Sequence, residues 1–432
     1  MKQIRTFFLV LFCIFSVFTV FAQKTDSISQ KRIGFVEQQG RNKYNPERGF
    51  FQKVHTDRGE PHFMIEDSKT GFRFGVGGTI HFTGFYDFSG AVNDNTFSTW
   101  YIPVTTPKNG QFGLSMGSSK INLKAVGKVG KQDLLAFFEF GVGANDNFFK
   151  IRNIYMSYAG LTIGHTYSIF MDLAAGPMTV DLEGPNTQIS LKHPLIAYTL
   201  PIGKHWTIAA SVERPELGTV EDDALGLSPE TQKVPDFAAH VKFQTDKGHI
   251  QLAGLFRTLY FYQQNINQTD PGVQHRFGYG LALSGTAHIT KKLSFSAQAV
   301  GGVGISQYVQ DLSFSQMNLQ RVKDPQGHIT MVPPPIIGGY ASLEYDWSPH
   351  FVSSIIYGHT HLFYYQGYDY LEGDIQDFNY SDYAAANFFW NVNDDFTMGI
   401  EYLFGHRCNL SDQWRHYHGY AHRVDLMVMY NF

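Results

Sequence analysis

The sequence predicts an all-β protein, a transmembrane antiparallel β-barrel of about sixteen strands with an inward-folded constriction loop. Three observations favour this fold: the pattern of the C-terminal strand, an N-terminal signal peptide that no membrane-spanning helix follows in the sequence, and the alternation of short and long connections. From Val424 to Phe432 every second residue is large and apolar or aromatic. A period of two gives a strand one apolar face. Such a closing strand, facing lipid outside and water inside, is typical of outer-membrane barrels.

The N-terminus has the features of a secretory signal peptide. Lys2 and Arg5 are followed by an apolar run over residues 7–21, and Ala22 offers a small residue for cleavage. We therefore predict a signal peptide over residues 1–22. No later segment approaches the roughly 20 apolar residues that a spanning helix needs. These observations place the chain in the outer membrane of a Gram-negative bacterium, and a soluble β-sandwich outside the cytoplasm is the alternative.

Composition supports a barrel and excludes other classes. The chain has 38 Phe, 24 Tyr and 42 Gly but only 17% charged residues, which suits aromatic girdles and a curved sheet. The net charge of −4 is too mild to indicate nucleic-acid binding. Beyond the leader the only cysteine is Cys408, so an internal disulfide framework is excluded. No cofactor is predicted.

The mature chain divides into two parts. Residues 23–68 are polar and lack alternation, so we predict a periplasmic segment with little regular structure, followed by the barrel over 69–432. The first barrel strand alternates over residues 72–88, with Phe85 as the exception. Short connections are predicted near 130–133, 159–160, 201–205, 245–248, 290–292, 348–350 and 392–395. Long ones are predicted near 89–115, 170–187, 215–234, 262–275, 306–336, 364–380 and 406–417, and the short connection 144–147 lies on the same side.

The long connection 170–187 differs from the others in being moderately apolar. It carries three isolated carboxylates, Asp172, Asp181 and Glu183. This composition suits a loop folded into the barrel, where it would narrow the pore and place the carboxylates in the path of solutes. An exposed acidic loop is the alternative.

Charged residues in strand-like segments indicate a polar lumen. An Arg or Lys facing lipid at the bilayer midplane costs about 2–4 kcal/mol, so these side chains should point inward. Loop carboxylates opposite a basic wall would create a transverse field, and a net basic wall favours anions. The alternative is that the basic residues are ordinary solvated lumen residues. The predicted pore-lining residues are basic at Lys120, Lys124, Lys150, Arg152, Lys192 and Arg257, and acidic at Glu139 and Glu401.

Metal binding and catalysis have less support. His359 and His361 share a strand face, as do His416 and His418, but no cysteine or carboxylate stands at ligand spacing in the sequence. The one G-x-S-x-G match, residues 113–117 (GLSMG), is followed by an alternating strand-like segment and not by the helix that a nucleophile elbow needs. We predict no metal site and no enzymatic activity.

Several segments together resemble the DcaP-like family of outer-membrane porins, which is named for dicarboxylate uptake. Residues 164–172 (GHTYSIFMD) resemble the family run G-Q-T-W-S-T-F-M-D, and residues 181–185 (DLEGP) resemble its downstream D-F-E-G-P. Further similar stretches are 191–199 (LKHPLIAYT), 212–216 (VERPE), 399–407 (GIEYLFGHR) and 430–432 (YNF).

The resemblance covers most of the chain from about residue 70. It implies a sixteen-stranded trimeric porin with an inward-folded constriction loop and a preference for small carboxylated solutes. This chain departs from the family by lacking its N-terminal coiled coil. It also differs near the predicted pore, at His165, Tyr167, His193 and Ala197.

The predicted function is a passive diffusion channel for small hydrophilic solutes, including carboxylated anions. The alternatives are a sugar or fatty-acid channel, and a structural or adhesive barrel with a plugged lumen. The predicted partners are outer-membrane lipid and lipopolysaccharide, two further copies of the chain, and the barrel-assembly machinery through Phe432. No nucleic-acid partner is predicted.

Overall fold

The computed structural model describes residues 33–37, 61, 63–88, 96–104, 109–141, 150–217, 226–264, 272–315, 317–370, 377–410 and 415–432. The predicted signal peptide over residues 1–22 lies outside these ranges, as does most of the predicted periplasmic segment. Within them, no helix has the length and apolar character needed to cross a bilayer.

Strands dominate the described chain. They are β1 (Ile33–Glu37), β2 (Phe63–Asp67), β3 (Phe72–Asp87), β4 (Gln111–Ser115), β5 (Lys120–Val129), β6 (Gln132–Gly141), β7 (Lys150–Tyr158), β8 (Leu161–Tyr167), β9 (Lys192–Ile202), β10 (Trp206–Glu213), β11 (Leu227–Pro229), β12 (Asp236–Thr245), β13 (Gly248–Gln263), β14 (Gly272–His288), β15 (Leu293–Val303), β16 (Gln320–Lys323), β17 (Ile329–Val332), β18 (Pro335–Ser348), β19 (Phe351–Leu362), β20 (Asp369–Tyr370), β21 (Asp377–Asn391), β22 (Phe396–Leu410) and β23 (His416–Asn431). Short 3-10 turns lie at Thr99–Tyr101, Leu173–Ala175, Ser306–Tyr308 and Asp311–Ser315.

Sixteen of these strands form a closed antiparallel barrel, as the sequence predicts. Around the ring they follow the order β3, β5, β6, β7, β8, β9, β10, β12, β13, β14, β15, β18, β19, β21, β22 and β23. The ring closes where β23 pairs with β3, in a register that joins Arg423 to Asp87 and Asn431 to Thr79. Closure removes the exposed edges that an open sheet would leave in the membrane.

The two faces of the wall differ as the alternation predicts. On β3, Ile80 and Phe82 are exposed on the outside, whereas Thr79 and His81 are 3% exposed on the inside. Phe85 breaks the pattern because it points inward and is 2% exposed. Its ring lies 3.9 Å from the Arg423 guanidinium carbon, a cation–π contact that explains an aromatic residue on the polar face.

Short turns join strand pairs at the end of the barrel that holds the C-terminus, and the long connections lie at the other end. The two-residue turn Ala159–Gly160 has positive φ at both positions, 50° and 88°. This conformation twists with the flanking strands and favours glycine. The predicted alternation of short and long connections is confirmed.

The C-terminal residue is paired with the barrel's first strand. Phe432 and Gly78 exchange two backbone hydrogen bonds, each 3.0 Å long. A Cβ on Gly78 would lie 2.6 Å from the Phe432 ring, so only glycine permits this approach. β2 pairs with the first residues of β3, Phe72 to Phe74, which precede the part of β3 that β23 covers. β1 in turn pairs with β2. Both short strands belong to the segment for which the sequence predicts little regular structure.

Candidate functional site: the barrel lumen

Three connections from the long-loop end are buried by inward-facing side chains of the wall. They are segment 96–104, loop 168–191 and loop 304–319, whose residue 316 lies outside the described chain. Loop 168–191 contributes Met178 and Val180, both 0% exposed, to an apolar cluster with Met427 and Met429 of β23. Its apolar side chains thus pack against the inner wall, which accounts for a composition unusual in a surface loop.

Asp172 attaches loop 168–191 to the wall at β12 to β14. Its carboxylate accepts hydrogen bonds from Lys242 (3.1 Å), His249 (2.7 Å) and Ser284 (2.7 Å). Burial works to raise the pKa of Asp172, but the hydrogen bond from His249 and the charge of Lys242 outweigh it and hold the pKa below its usual value. Asp172 is therefore an ionised, fully paired anchor.

Asp181 and Glu401 attach the same loop on the far side of the barrel. Oε1 of Glu401 accepts the backbone N–H groups of Val180 (3.1 Å) and Asp181 (2.7 Å). The Asp181 carboxylate in turn accepts the N–H of Phe97, at 2.9 Å, from segment 96–104. Burial, together with the neighbouring Asp425 charge, raises the pKa of Asp181 to about 7.

The orientation of the acidic residues differs from the prediction. Asp172, Asp181 and Glu183 are 4%, 2% and 4% exposed, and Glu401 is 0% exposed. Their carboxylates point into the packing between loop and wall, so they do not stand in the path of solutes facing a basic surface. The physical reason is that an inward loop must satisfy its own backbone groups and its own buried charges, and the carboxylates of Asp172, Asp181 and Glu401 accept the hydrogen bonds that fix it.

Arg257 is likewise an anchor. It faces inward but is 0% exposed, because loop 304–319 covers it. Its guanidinium donates to Asp236 (2.8 Å) and to the carbonyl of Gly304 (3.0 Å), and it lies 5.1 Å from the Tyr308 ring centroid. The prediction that Arg257 lines open lumen is corrected by this burial.

The wall from β5 to β9 keeps partly exposed basic groups. Lys120 Nζ lies 2.8 Å from Oε2 of Glu139, and its side chain is 20% exposed against 7% for Glu139. Asn153 donates to Oε1 of Glu139 at 2.9 Å and accepts from Thr166 at 3.2 Å. This hydrogen-bonded row crosses four neighbouring strands and leaves the ammonium of Lys120 partly accessible.

The other predicted basic residues lie around this row. Arg152 is the extra residue of a β-bulge between β6 and β7, and its guanidinium donates to the carbonyl of Gly117 at 2.9 Å. Lys192 lies over the Tyr167 ring, with 4.2 Å from Nζ to the centroid. Lys124 is partly exposed, and Lys150 is exposed at the first residue of β7. The structure therefore gathers Lys120, Lys124, Arg152 and Lys192 on one wall, which we call the basic wall.

Sequence reasoning missed the second inward loop and its partners. Tyr308 is 0% exposed and donates its hydroxyl to Asp236 at 3.0 Å. His193 and Glu213 form a neighbouring buried pair at 2.7 Å. The apolar residues Ile305, Val309 and Leu312 give loop 304–319 the same signal that identified loop 168–191. That signal could have identified the second loop.

One of the histidines singled out in the sequence, His359, has a carboxylate partner. His359 and His406 both donate to Asp382, at 2.8 and 2.9 Å, on the outer side of the wall. In the part of the chain described here, no group of three or more His, Cys, Asp or Glu side chains is arranged to hold a metal ion.

A sixteen-stranded antiparallel barrel with an apolar exterior, a polar inner wall and inward loops is the fold of porins. The structure of the outer membrane channel DcaP of Acinetobacter baumannii matches with a TM-score of 0.67 and 17% sequence identity, covering 85% of this chain and 99% of that chain. This confirms for the fold the resemblance seen in the sequence.

Two further solved structures are similar. OmpT of Vibrio cholerae, in its in-vitro folded trimer form, matches with a TM-score of 0.52 and 10% identity over 84% of this chain and 99% of that chain. OmpF of Salmonella typhi, in complex with daunomycin, matches with a TM-score of 0.52 and 12% identity over 85% of this chain and 100% of that chain. No protein-family model and no curated protein sequence matches the chain.

Proposed function

We propose that this protein is a diffusion channel in the outer membrane of a Gram-negative bacterium, passing small hydrophilic solutes without energy input. The observation that carries this proposal is the closed ring of sixteen strands with an apolar outside and a polar inside. Barrels of this size leave an aqueous lumen, whereas eight strands leave room only for packed side chains. The proposal is transport rather than catalysis.

We also propose a preference for anions, including small carboxylated solutes of the kind that the sequence resemblance implies. The basic wall keeps partly exposed cations, whereas the carboxylates on the opposite side are buried and bonded to the loops. Solutes in the lumen would therefore meet more positive than negative charge. Field strength near such groups decides which ions enter a pore.

A trimer in contact with outer-membrane lipid and lipopolysaccharide is part of the proposal, with Phe432 as the signal for the assembly machinery. Its support is the trimer form named for the similar OmpT structure and the broad apolar exterior of the barrel. Crosslinking in native membranes would give a ladder ending at three copies.

A plugged barrel is the second candidate function, favoured by the burial of segment 96–104 and of the two inward loops on the β10 to β22 side. A plugged barrel would serve a structural or adhesive role. Planar-bilayer recordings separate the two, because a channel gives steady openings of uniform conductance and a plugged barrel gives none.

Charge reversal on the basic wall tests the anion preference. Replacing Lys124 and Arg152 together by glutamate should shift the reversal potential in a salt gradient toward that of a cation-selective pore. The matched control is Lys291→Glu together with Lys292→Glu, which changes the same charge on the exposed turn between β14 and β15. Equal shifts of the reversal potential in both double variants would show that the basic wall does not line the pore. Liposome swelling with sugars, amino acids and dicarboxylates would then rank the solutes.

A further inference from the structure

The outer surface of the barrel carries a cluster of histidines at the long-loop end, on the neighbouring strands β19 to β23. We call it the histidine patch, and its members are His359, His361, His406, His416 and His418. A carboxylate lies at its centre, because His359 and His406 each donate a ring N–H to Asp382, at 2.8 and 2.9 Å. His406 also shares a hydrogen bond of 3.0 Å with His418, and the two rings lie 14° from parallel.

The strand register places the patch on the outer face of the wall. His359, Asp382 and His406 are cross-strand partners in one row, so their side chains share a face. Tyr420 continues this row on β23, where it is 55% exposed, and its ring is stacked on that of His406 at 4.8 Å. The side chain of His359 is 39% exposed. The patch can therefore be reached from outside the barrel.

The patch lies at the edge of the apolar band that the barrel presents to lipid. Toward the short-turn end the same strands carry exposed apolar side chains, among them Ile355, Ile400 and Leu426. On β21, Asp382 lies eight residues before the exposed Trp390. At about 3.3 Å per residue and a strand tilt of about 40°, this spacing is a rise of roughly 20 Å, most of an apolar band of about 25 Å. With the short turns on the periplasmic side, the patch is level with the headgroups of the outer leaflet.

The charge of the patch depends on pH. Among the described residues, Asp382 is the one carboxylate in contact with it, and the hydroxyl of Tyr357 also donates to Asp382, at 2.6 Å. Histidine ordinarily changes its charge between about pH 5 and 8, so acidification turns the patch from negative to positive. His359 can take up a proton on Nε2 and keep its Nδ1 bond to Asp382. The other titratable side chains around the patch are Tyr357, Tyr380, Tyr402, Cys408, Arg415, Tyr420 and His422.

We propose that the histidine patch binds the phosphate group of a lipid headgroup in the outer leaflet when the surroundings are acidic. Imidazolium N–H groups donate charge-assisted hydrogen bonds to phosphate oxygens, which are strong acceptors. The position beside the apolar band favours a phosphate that carries acyl chains, because the chains can lie along the exposed apolar residues of the same strands. This inference rests on the proposed outer-membrane location and does not depend on transport.

Binding of radiolabelled diphosphoryl lipid A to the full-length protein in detergent micelles tests the proposal, with the dephosphorylated lipid as the comparison. At about pH 5.5 the wild type should bind the phosphorylated lipid at least about tenfold more tightly than at about pH 8. The affinity for the dephosphorylated lipid should not change with pH. Inorganic phosphate at the same concentration should not displace the lipid, and displacement would refute the assignment to a lipid headgroup.

Variants of the patch should change the affinity in both directions. His359→Gln together with His406→Gln should weaken binding at about pH 5.5 by at least about tenfold. The matched control is His205→Gln together with His350→Gln, which removes two histidines from short turns at the opposite end of the barrel. Asp382→Asn should bind the phosphorylated lipid more tightly than the wild type at about pH 8, since it removes the negative charge of the patch. A merely structural role for Asp382 would not strengthen binding.

A wild type whose affinity ignores pH would overturn the proposal, as would equal losses in the two double variants. Association of chains on acidification without lipid binding would assign the patch to a second copy instead, which also contradicts it. If the first double variant fails to fold, His361→Gln with His418→Gln tests the same surface and keeps both bonds to Asp382. Steady openings in planar bilayers without acid-dependent lipid binding would refute this inference alone, whereas lipid binding without openings would refute only transport.

Discussion

The ion pair between Arg257 and Asp236 fixes loop 304–319 to the wall, and its removal should be costly. Both side chains are buried, at 0% and 1% exposure. Replacing Arg257 by methionine leaves the Asp236 carboxylate in a buried site without its counter-charge. Breaking a buried pair in this way costs about 3–5 kcal/mol. The expected loss in the free energy of unfolding for Arg257→Met is therefore about 3–5 kcal/mol.

Removing the carboxylate charge should recover much of this loss. Asp236→Asn alone leaves the buried Arg257 guanidinium without its counter-charge, so about 3–5 kcal/mol should be lost here too, although Arg257 keeps its bond to the Gly304 carbonyl. In the double variant no charge is left unpaired. It should be at least about 2 kcal/mol more stable than the sum of the two single losses predicts.

Urea unfolding of the protein folded into lipid vesicles, followed by tryptophan fluorescence, measures all four members of this cycle. Lys242→Met is the control, because the Lys242 side chain is 21% exposed and Asp172 keeps His249 and Ser284 as donors. We expect that control to lose about 1 kcal/mol or less. Strict additivity of the two single variants would refute the reasoning, since it would mean that the two charges are not coupled.

Two further outcomes follow from buried groups at the loop and at the closure of the barrel. Because the folded-state pKa of Asp181 is raised to about 7, the folded protein holds a proton that the unfolded chain releases near pH 4, and stability should fall as pH rises between these values. Asp181 should contribute about 1.4 kcal/mol per pH unit to the slope of the unfolding free energy against pH, and this slope should be smaller in Asp181→Asn. An unchanged slope would mean that other carboxyl groups cause the pH dependence. Gly78→Leu should lower stability by about 1–3 kcal/mol, because its Cβ would lie 2.6 Å from the Lys120 carbonyl oxygen and from the Phe432 ring. Gly127→Ala is the control, since its Cβ meets only the Phe72 ring at 3.6 Å, and equal urea midpoints for the two variants would contradict the steric argument.

Strand existence, face and order were accessible from the sequence because they depend on neighbours along the chain. The alternation around Ile80 and Phe82 requires only that successive side chains point to opposite faces. The alternation of short turns and long connections then sets the antiparallel order. Closure between β23 and β3 follows once the strand number is even and both ends lie on the same side.

Side-chain partners inside the lumen were not accessible in this way. An inward-facing polar residue looks the same in the sequence whether it meets water or a folded loop. Arg257 and Lys124 both carry inward charges, yet a loop covers the first and leaves the second partly exposed. The bulge at Arg152 also has no signature in the residues around it, because the extra residue is defined by pairing with β6.

The asymmetry of the lumen has a physical cause in the distribution of donors around the wall. The side from β12 to β22 offers side-chain donors to the inward loops, among them Lys242, His249 and Asn387, and the loop carboxylate and carbonyls accept from them. The basic wall offers the loops fewer hydrogen-bond donors, because Lys120 and Asn153 already donate to Glu139. A loop that must satisfy buried acceptors is therefore more stable on the donor-rich side. The basic wall is left partly uncovered, and it is the surface that passing solutes would meet.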